Sequence, residues 1–187
     1  RRVRRLSAKE RADGFMGSNY SLDDFEGFSG QVLDFDWVYL GRKTILHVSN
    51  ARGSVAHLHG PYSRVPEDRW QIRSCLVVEL RPKWEGHPVA NKIMFIDEET
   101  YNVNLALIFD KKDALWKSIT TVYRRPYADA DPSLPENTLS YWAASIAVNY
   151  AKNDATVTRA KDPVVFPKFD ATKIRRMFSV SNLTSGR

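Results

Sequence analysis

Between residues 73 and 123 the sequence alternates between apolar and polar side chains in successive runs, with short turns between them. The runs cover residues 73–81, 91–97, 101–109 and 115–123. Connections this short join antiparallel strands, because a parallel crossover needs a dozen or more residues. The sequence therefore predicts a four-stranded antiparallel meander, with one face packed on apolar groups and the other face toward water.

The run over residues 101–109 alternates most clearly. Its large apolar side chains fall on one side of the predicted strand: Tyr101, Val103, Leu105, Leu107 and Phe109. Asn102 and Asn104 fall on the other side. We predict that the apolar side from Val103 to Phe109 is buried, and that both asparagines point to water or to polar partners.

Further strands are predicted on both sides of the meander. Residues 34–40 alternate, and Gly41-Arg42 predicts a turn into a second strand over residues 44–50, which makes a hairpin. Residues 139–150 fit a helix or a strand by spacing alone, because Trp142, Ile146 and Tyr150 lie four apart. A short helix is predicted over residues 170–177, with Asp170 as its N-cap. The 187 residues fit a single domain, with a loose polar tail over residues 179–187.

The segment before these strands combines a basic run with an apolar loop. Ser21 and Asp24 have the spacing of a capping box, which predicts a short helix over residues 22–27. Phe15 and Met16 stand between glycines on a loop, where polar residues are the rule. We expect Phe15, Met16 and Phe25 to fold back over the sheet as a lid.

The positive charge of the chain favours an anionic partner. The formal net charge is +6, and the sequence begins with the basic run Arg1, Arg2, Arg4 and Arg5. These arginines are candidates for contact with an anionic membrane surface, although a solvated or strand-borne set of charges is the simpler explanation. The remaining basic residues are interspersed with acids, so we predict no nucleic-acid partner.

Residues that carry out catalysis are scarce. Cys75 is the single cysteine, and His57 and His59 lack a third ligand that the sequence would place beside them. Asp23, Asp24 and Glu26 include possible acid and base groups, but their position on a short helix favours capping and solvation. We therefore predict no catalytic residue, no metal site and no cofactor.

Several stretches carry a resemblance to a known family. They are RRVRRLSAKERADGFMGSNYSLDDF at residues 1–25, ANKIMFIDEETYNV at residues 90–103, LIFDKKDALWKS at residues 107–118, and FDATKIRRM at residues 169–177. Together they resemble an uncharacterised, outer-membrane lipoprotein-sorting-protein-like family of Gram-negative bacteria, and the chain resembles the C-terminal part of its members. The resemblance favours strands over residues 139–150 and 155–160.

What the resemblance implies is a mainly β fold of the α+β kind. Its core is a strongly curved antiparallel sheet, or half-open β-barrel, whose concave face is closed by short helices and loops. Members are grouped with periplasmic lipoprotein carriers and are associated with inner-membrane exporters of the resistance-nodulation-division type. The expected protein is therefore a non-enzymatic periplasmic carrier or accessory protein for a lipid, a lipoprotein acyl chain or another hydrophobic cargo.

The aromatic content supports an apolar cavity on the concave face. The chain has 5 Trp, 8 Tyr and 9 Phe, more than the predicted helices can cover. The candidate lining residues are Trp37, Leu76, Val78, Leu80, Leu105, Leu107, Trp142, Ile146 and Val148. An ordinary packed core explains the same residues. Two other functions stay open, an interaction module for an exporter or outer-membrane protein and an enzyme acting on a hydrophobic small molecule.

Overall fold

Seven antiparallel strands form one sheet in the computed structural model, which describes residues 11–52, 56–124, 140–160 and 170–185. In spatial order they are β1 (Phe35–His47), β4 (Gln71–Pro82), β5 (Val89–Asp97), β6 (Val103–Asp110), β7 (Leu115–Arg124), β8 (Tyr141–Asn149) and β9 (Asp154–Arg159). A separate small pair consists of β2 (Leu58–His59) and β3 (Val65–Pro66). In the described part of the chain the large sheet is open, with β1 and β9 as its edges.

The helical elements are short. There are 3-10 helices at Phe15–Gly17, Leu22–Gly27, Val32–Asp34 and Pro61–Ser63, and α-helices α1 (Ala171–Met177) and α2 (Val180–Ser185). Asp170 caps α1 by accepting a hydrogen bond from the Lys173 amide at 2.7 Å, as its sequence position predicted. The α2 helix lies within the tail over residues 179–187. A mainly β fold with a half-open sheet and few short helices confirms the predicted fold class.

The meander is confirmed strand by strand, since β4, β5, β6 and β7 are successive neighbours in the sheet. The stretch over residues 139–150, which sequence spacing left open, contains the strand β8, and β9 follows it. Each of these strands pairs with the next along the chain, because every connection between β4 and β7 is a short turn.

The hairpin predicted over residues 34–50 is wrong, because β1 is one continuous strand. Tyr39 pairs with Val78 and Gly41 pairs with Val77, so Leu40 is an extra residue on β1. Gly41 has a φ of +106°, which is the left-handed conformation that a bulge with glycine uses. The glycine therefore makes a bulge within a thirteen-residue strand and does not reverse the chain.

The predicted burial of β6 is also wrong. Val103, Leu105, Leu107 and Phe109 are only partly buried, while Asn104 is fully buried. The prediction for the asparagines is confirmed, because the side-chain amide of Asn104 donates to Asp97 at 3.1 Å and that of Asn102 donates to Ser140. A shift in the pairing with β5 leaves Asn104 as an extra residue between Val103 and Leu105. This bulge interrupts the strict alternation on which the sequence prediction rested.

Residues 11–34, which we call the covering segment, lie across one face of the sheet, here named the inner face. The main apolar core forms where this segment and the start of β1 meet the sheet. Its buried members are Tyr20, Phe35, Leu80, Val89, Met94, Ala106, Ile108, Ile119 and Ala147. Small residues such as Ala106 and Ala147 allow the covering segment to approach the backbone of the sheet closely. The opposite side of the sheet is named the outer face.

Candidate ligand-binding site

Polar contacts attach the covering segment to the inner face. Asn19 donates a side-chain hydrogen bond to Asp154 at 2.8 Å, and the hydroxyl of Tyr20 donates to Ser145 at 2.9 Å. Burial raises the pKa of Tyr20 to about 12, so this phenol stays neutral at physiological pH. The segment is thus fixed over β8 and β9 by hydrogen bonds whose partners are far away in sequence.

The short helix Leu22–Gly27 has the bounds that its capping box predicted. The backbone amide and the hydroxyl of Ser21 both donate to Asp24, at 3.0 and 2.8 Å. The ammonium group of Lys92 on β5 donates to the other carboxylate oxygen of Asp24 at 2.7 Å. Burial alone would raise the pKa of Asp24, but the charge and hydrogen bonds of Lys92 hold that pKa below its ordinary value. This carboxylate is therefore a structural anion that holds the helix on the sheet.

Gly27 lies where the covering segment touches β6. Its φ is +87°, and a Cβ atom at this position would lie 2.4 Å from Cγ1 of Val103. Both the left-handed backbone and the close approach require a residue without a side chain. Glycine at this position lets the segment rest directly on the sheet.

A pocket of about 440 Å³ opens beside this contact, between the covering segment and the last two strands. Its aromatic walls are Tyr20, Phe25, Phe28 and Trp142, and its other lining residues are Glu26, Ser29, Ser145 and Thr158. The rings of Tyr20 and Phe25 are stacked, with centroids 6.0 Å apart. The volume lies within the usual range for pockets that bind small molecules.

Trp142 reaches this pocket because of a bulge in β8. Val122 on β7 pairs with Ala144, and Tyr123 pairs with Trp142, which leaves Ala143 as an extra residue. Sequence alternation placed Trp142 on the same side as Ile146 and Val148. The bulge turns Trp142 toward the inner face, where it lines the pocket with Tyr20.

The structure divides the other predicted lining residues between the two faces. Leu80 is buried in the core of the inner face. Trp37 on β1 is the cross-strand partner of Leu80 on β4. Its ring packs edge-on against Phe28, with ring centroids 5.1 Å apart. Leu76 and Val78 alternate with buried residues of β4 and are half-buried.

Four predicted lining residues lie on the outer face, away from the pocket. They are Leu105, Leu107, Ile146 and Val148, which alternate along their strands with the inner-face core residues Ala106, Ile108 and Ala147. Ile146 is buried, and the other three are half-buried. The single cavity that the sequence suggested is therefore a filled core with a smaller pocket at one side.

The predicted lid residues differ in what they contact. Phe25 lines the pocket, and Phe15 packs edge-on against it with ring centroids 5.9 Å apart. Met16 is 89% exposed, so the expectation that both loop residues rest on a surface holds for Phe15 alone. The predicted anionic-surface residues Arg1, Arg2, Arg4 and Arg5 lie outside the described residues.

Sequence reasoning missed several residues of this pocket. Tyr20, Glu26 and Phe28 belong to a segment whose spacing matches neither a strand nor a long helix, so no periodicity marked them. The feature of the sequence that could have indicated them is the high density of aromatic residues over residues 15–28, a segment without strands. Ser145 and Thr158 are small polar strand residues that carry no signal of their own.

A smaller pocket of about 300 Å³ lies between the covering segment, the start of β1 and the turn after β4. Arg11 and Asp23 line it as an ion pair of 2.7 Å, and Phe35, Trp84 and His87 supply aromatic walls. Burial lowers the pKa of His87, whose Nδ1 accepts a hydrogen bond from the amide of Val89 at 3.1 Å. Arg11 and Asp23 are paired with each other and the volume is smaller, so this pocket is the weaker candidate.

Neither pocket has the composition of a metal centre. Within residues 11–52, 56–124, 140–160 and 170–185, no three His, Cys, Asp or Glu side chains come together as metal ligands would. His57 and His59 are both exposed. No helix in the described part of the chain is both long enough and apolar enough to cross a membrane.

An open antiparallel sheet with a short helical segment over one face is a fold seen in solved structures. One is a domain named for outer membrane lipoprotein sorting, from Vibrio parahaemolyticus, with a TM-score of 0.59 and 15% sequence identity. It covers 94% of this chain, and the match covers 60% of that domain's chain. A DUF1329 family protein from Desulfovibrio piger has a TM-score of 0.57 and 17% identity, with coverages of 96% and 59%.

The sequence itself assigns the family. Residues 1–184 match the family model described as a protein of unknown function, DUF1329, and the chain belongs to that family. No curated protein matches the chain. The chain spans about 60% of the length of the two solved structures to which it is similar.

Proposed function

We propose that this protein is a non-enzymatic carrier or accessory protein that binds a hydrophobic cargo in the aromatic pocket beside the covering segment. The observation that carries the proposal is the pocket of about 440 Å³ between Phe25 and Phe28 on one side and Trp142 on the other. A lipid or lipoprotein acyl chain is the expected cargo. Each methylene that leaves water in such a pocket contributes about 0.8 kcal/mol, so affinity needs no catalytic group.

The setting of this function is the periplasm, with handover to or from an inner-membrane exporter of the resistance-nodulation-division type. The similarity in fold to a domain named for outer membrane lipoprotein sorting supports this setting. The basic run Arg1, Arg2, Arg4 and Arg5 would add contact with an anionic membrane surface, at roughly 1 kcal/mol per charge. Co-sedimentation with anionic and neutral vesicles tests that contact, and equal binding to both would contradict it.

The direct test of cargo binding is native mass spectrometry of the purified chain, followed by extraction with organic solvent. A bound mass that disappears on extraction and is recovered as a lipid in the solvent supports the proposal. A protein that carries no such mass, and that binds no uncharged fluorescent lipid after purification, contradicts it.

A second candidate function is an interaction module without cargo. It is favoured by the filled core of the inner face and by the apolar side chains exposed on the edge strand β1. Those side chains are Trp37, Val38, Tyr39, Leu40 and Leu46. A long apolar edge strand presents unpaired backbone groups to a partner strand. Replacing Val38 and Leu40 with Lys should abolish binding to an exporter or outer-membrane protein in pull-down experiments, while cargo binding stays unchanged.

A further inference from the structure

The pocket beside the covering segment combines aromatic rings with one acidic residue. We propose that it selects an organic cation attached to an apolar group, such as a quaternary ammonium on an alkyl chain. This inference rests on the proposed function, and it adds the charge of the ligand. The aromatic rings are those of Tyr20, Phe25, Phe28 and Trp142, and the acid is Glu26.

The aromatic walls themselves favour a cation. The face of an aromatic ring carries negative electrostatic potential, and several rings around one space form the cage that binds quaternary ammonium groups. Phe28 already has an ammonium nearby, since Nζ of Lys92 lies 6.0 Å from its ring centroid. That lysine is buried and paired with Asp24, so its charge is compensated and does not oppose a second cation.

Most polar groups of the pocket already have partners. The hydroxyl of Tyr20 donates to Ser145, and the hydroxyl of Thr158 donates to the backbone carbonyl of Ser145. The backbone carbonyl of Ser29 accepts a hydrogen bond from Arg11 at 2.5 Å. These groups therefore offer little to a polar ligand, and Glu26 is left as the charged residue of the lining.

The carboxylate of Glu26 has no cationic partner among the described residues. In that part of the chain, every lysine or arginine that forms an ion pair has an acid other than Glu26 as its partner. Glu26 is exposed at the surface while it also lines the pocket, which puts a negative charge where a ligand enters. A fatty acid carboxylate at this position would be repelled, whereas an ammonium group would be attracted.

The size of the pocket indicates what else the ligand carries. A volume of about 440 Å³ is typical of sites for molecules larger than a bare ammonium group. The remaining wall is aromatic, so the rest of the ligand is apolar. A lipid headgroup and a small free amine share the cationic chemistry, and they differ in this apolar part.

The test is isothermal titration calorimetry of the whole chain with four probes below their aggregation concentrations. The probes are octyltrimethylammonium, octyl glucoside, octanoate and choline. Octyltrimethylammonium should bind about threefold or more tightly than octyl glucoside, and octanoate should bind weakest. Choline distinguishes a lipid headgroup from a small free amine. If choline binds as tightly as octyltrimethylammonium, the ligand is a small free cation, which would contradict the proposed apolar tail.

Two variants isolate the charge and the ring. Glu26→Gln should weaken octyltrimethylammonium binding about threefold and leave octyl glucoside binding unchanged, while Glu67→Gln, an exposed acid outside the pocket, should change neither. Trp142→Leu keeps an apolar side chain without the ring, so it should weaken the cation more than the glucoside. Thermal unfolding of each variant shows that it is folded.

The outcomes separate the two proposals. Equal binding of octyltrimethylammonium and octyl glucoside, with no effect of Glu26→Gln, would overturn the cation inference and leave the hydrophobic carrier in place. No binding of any octyl probe would overturn the carrier proposal and the inference with it.

Discussion

Nζ of Lys92 on β5 lies 2.7 Å from a carboxylate oxygen of Asp24, and both side chains are buried between the covering segment and the sheet. Lys92 also donates to the backbone carbonyl of Gly27 at 3.2 Å. One ammonium group thus holds both ends of the short helix that borders the pocket. Two buried charges are tolerated here because each satisfies the other and both have further hydrogen bonds.

Replacing Lys92 with Met should destabilise the fold by about 3–5 kcal/mol, because the buried carboxylate of Asp24 is left without its cation. The measurement is urea unfolding at neutral pH. The double variant Lys92→Met with Asp24→Asn should recover part of this loss, since no uncompensated charge remains.

The matched control for this prediction is Lys83→Met. Lys83 is exposed and lies 3.6 Å from Asp36, so its loss should cost less than about 1 kcal/mol. Equal costs for the two lysine variants would mean that the pair between Lys92 and Asp24 contributes no more than a surface ion pair.

The contact between Gly27 and Val103 gives a second prediction. Gly27→Ala should lower the free energy of unfolding by about 2–4 kcal/mol, through the left-handed backbone and the clash with Val103. Gly17→Ala is the control, because Gly17 has a φ of +75° and a Cβ atom there would meet no other group within 4 Å. It should show the backbone cost alone, about 1 kcal/mol. A loss at Gly27 no larger than that at Gly17 would show that the segment can move away from β6.

The pocket can be filled by a substitution on β9. Thr158→Trp places a large ring in the lining and should prevent binding of a fluorescent fatty amine, with little loss of stability because β9 is an edge strand. Leu107→Trp adds a ring of the same size on the outer face and should leave binding unchanged. Fluorescence titration beside thermal unfolding measures both effects. Loss of binding in the Leu107 variant would indicate that the ligand lies on the outer face.

The buried histidine of β1 predicts how stability depends on pH. Burial lowers the pKa of His47 to about 4, with Asp97 raising it and Arg73 lowering it to smaller extents. The unfolded chain binds a proton near pH 6.5 and the folded chain does not, so stability is greatest above pH 6.5. It should fall by about 3 kcal/mol as the pH decreases from 6.5 to 4.

Urea unfolding between pH 4 and pH 8 measures this dependence. His47→Asn should reduce the slope between pH 4 and pH 6.5, while His57→Asn, at an exposed position, should leave it unchanged. If the stability of the wild-type protein is constant over this range, folding does not lower the pKa of His47, and the prediction is contradicted.

The sequence correctly predicted the features that are determined by residues close together in the chain. The capping box of Ser21 and Asp24 gave the bounds of its helix, and Asp170 gave the start of α1. Short polar turns gave the meander, since no other connection fits between those strands. Each of these features depends on residues fewer than about ten positions apart.

The sequence did not predict which side of a strand is buried, because bulges change the alternation of several strands. Three of these bulges affect residues for which a prediction was made. They involve Leu40 on β1, Asn104 on β6 and Ala143 on β8. Only Leu40 is followed by a glycine, and that glycine also fits a turn. The pocket depended on the third bulge, which moves Trp142 to the inner face. Such a shift is determined by the partner strands, and the residues themselves carry no mark of it.

The covering segment contributes no strand to the large sheet, and its contacts with β5, β8 and β9 are made largely through side chains. We therefore expect the segment to detach as one unit while every strand pairing stays intact, at a free energy below that of global unfolding. Native-state hydrogen exchange should resolve two populations of amide protons, a faster one in residues 11–34 and a slower one in β5 to β8. Such an opening would give a ligand too wide for the pocket mouth a second route of entry, at the rate at which the covering segment detaches.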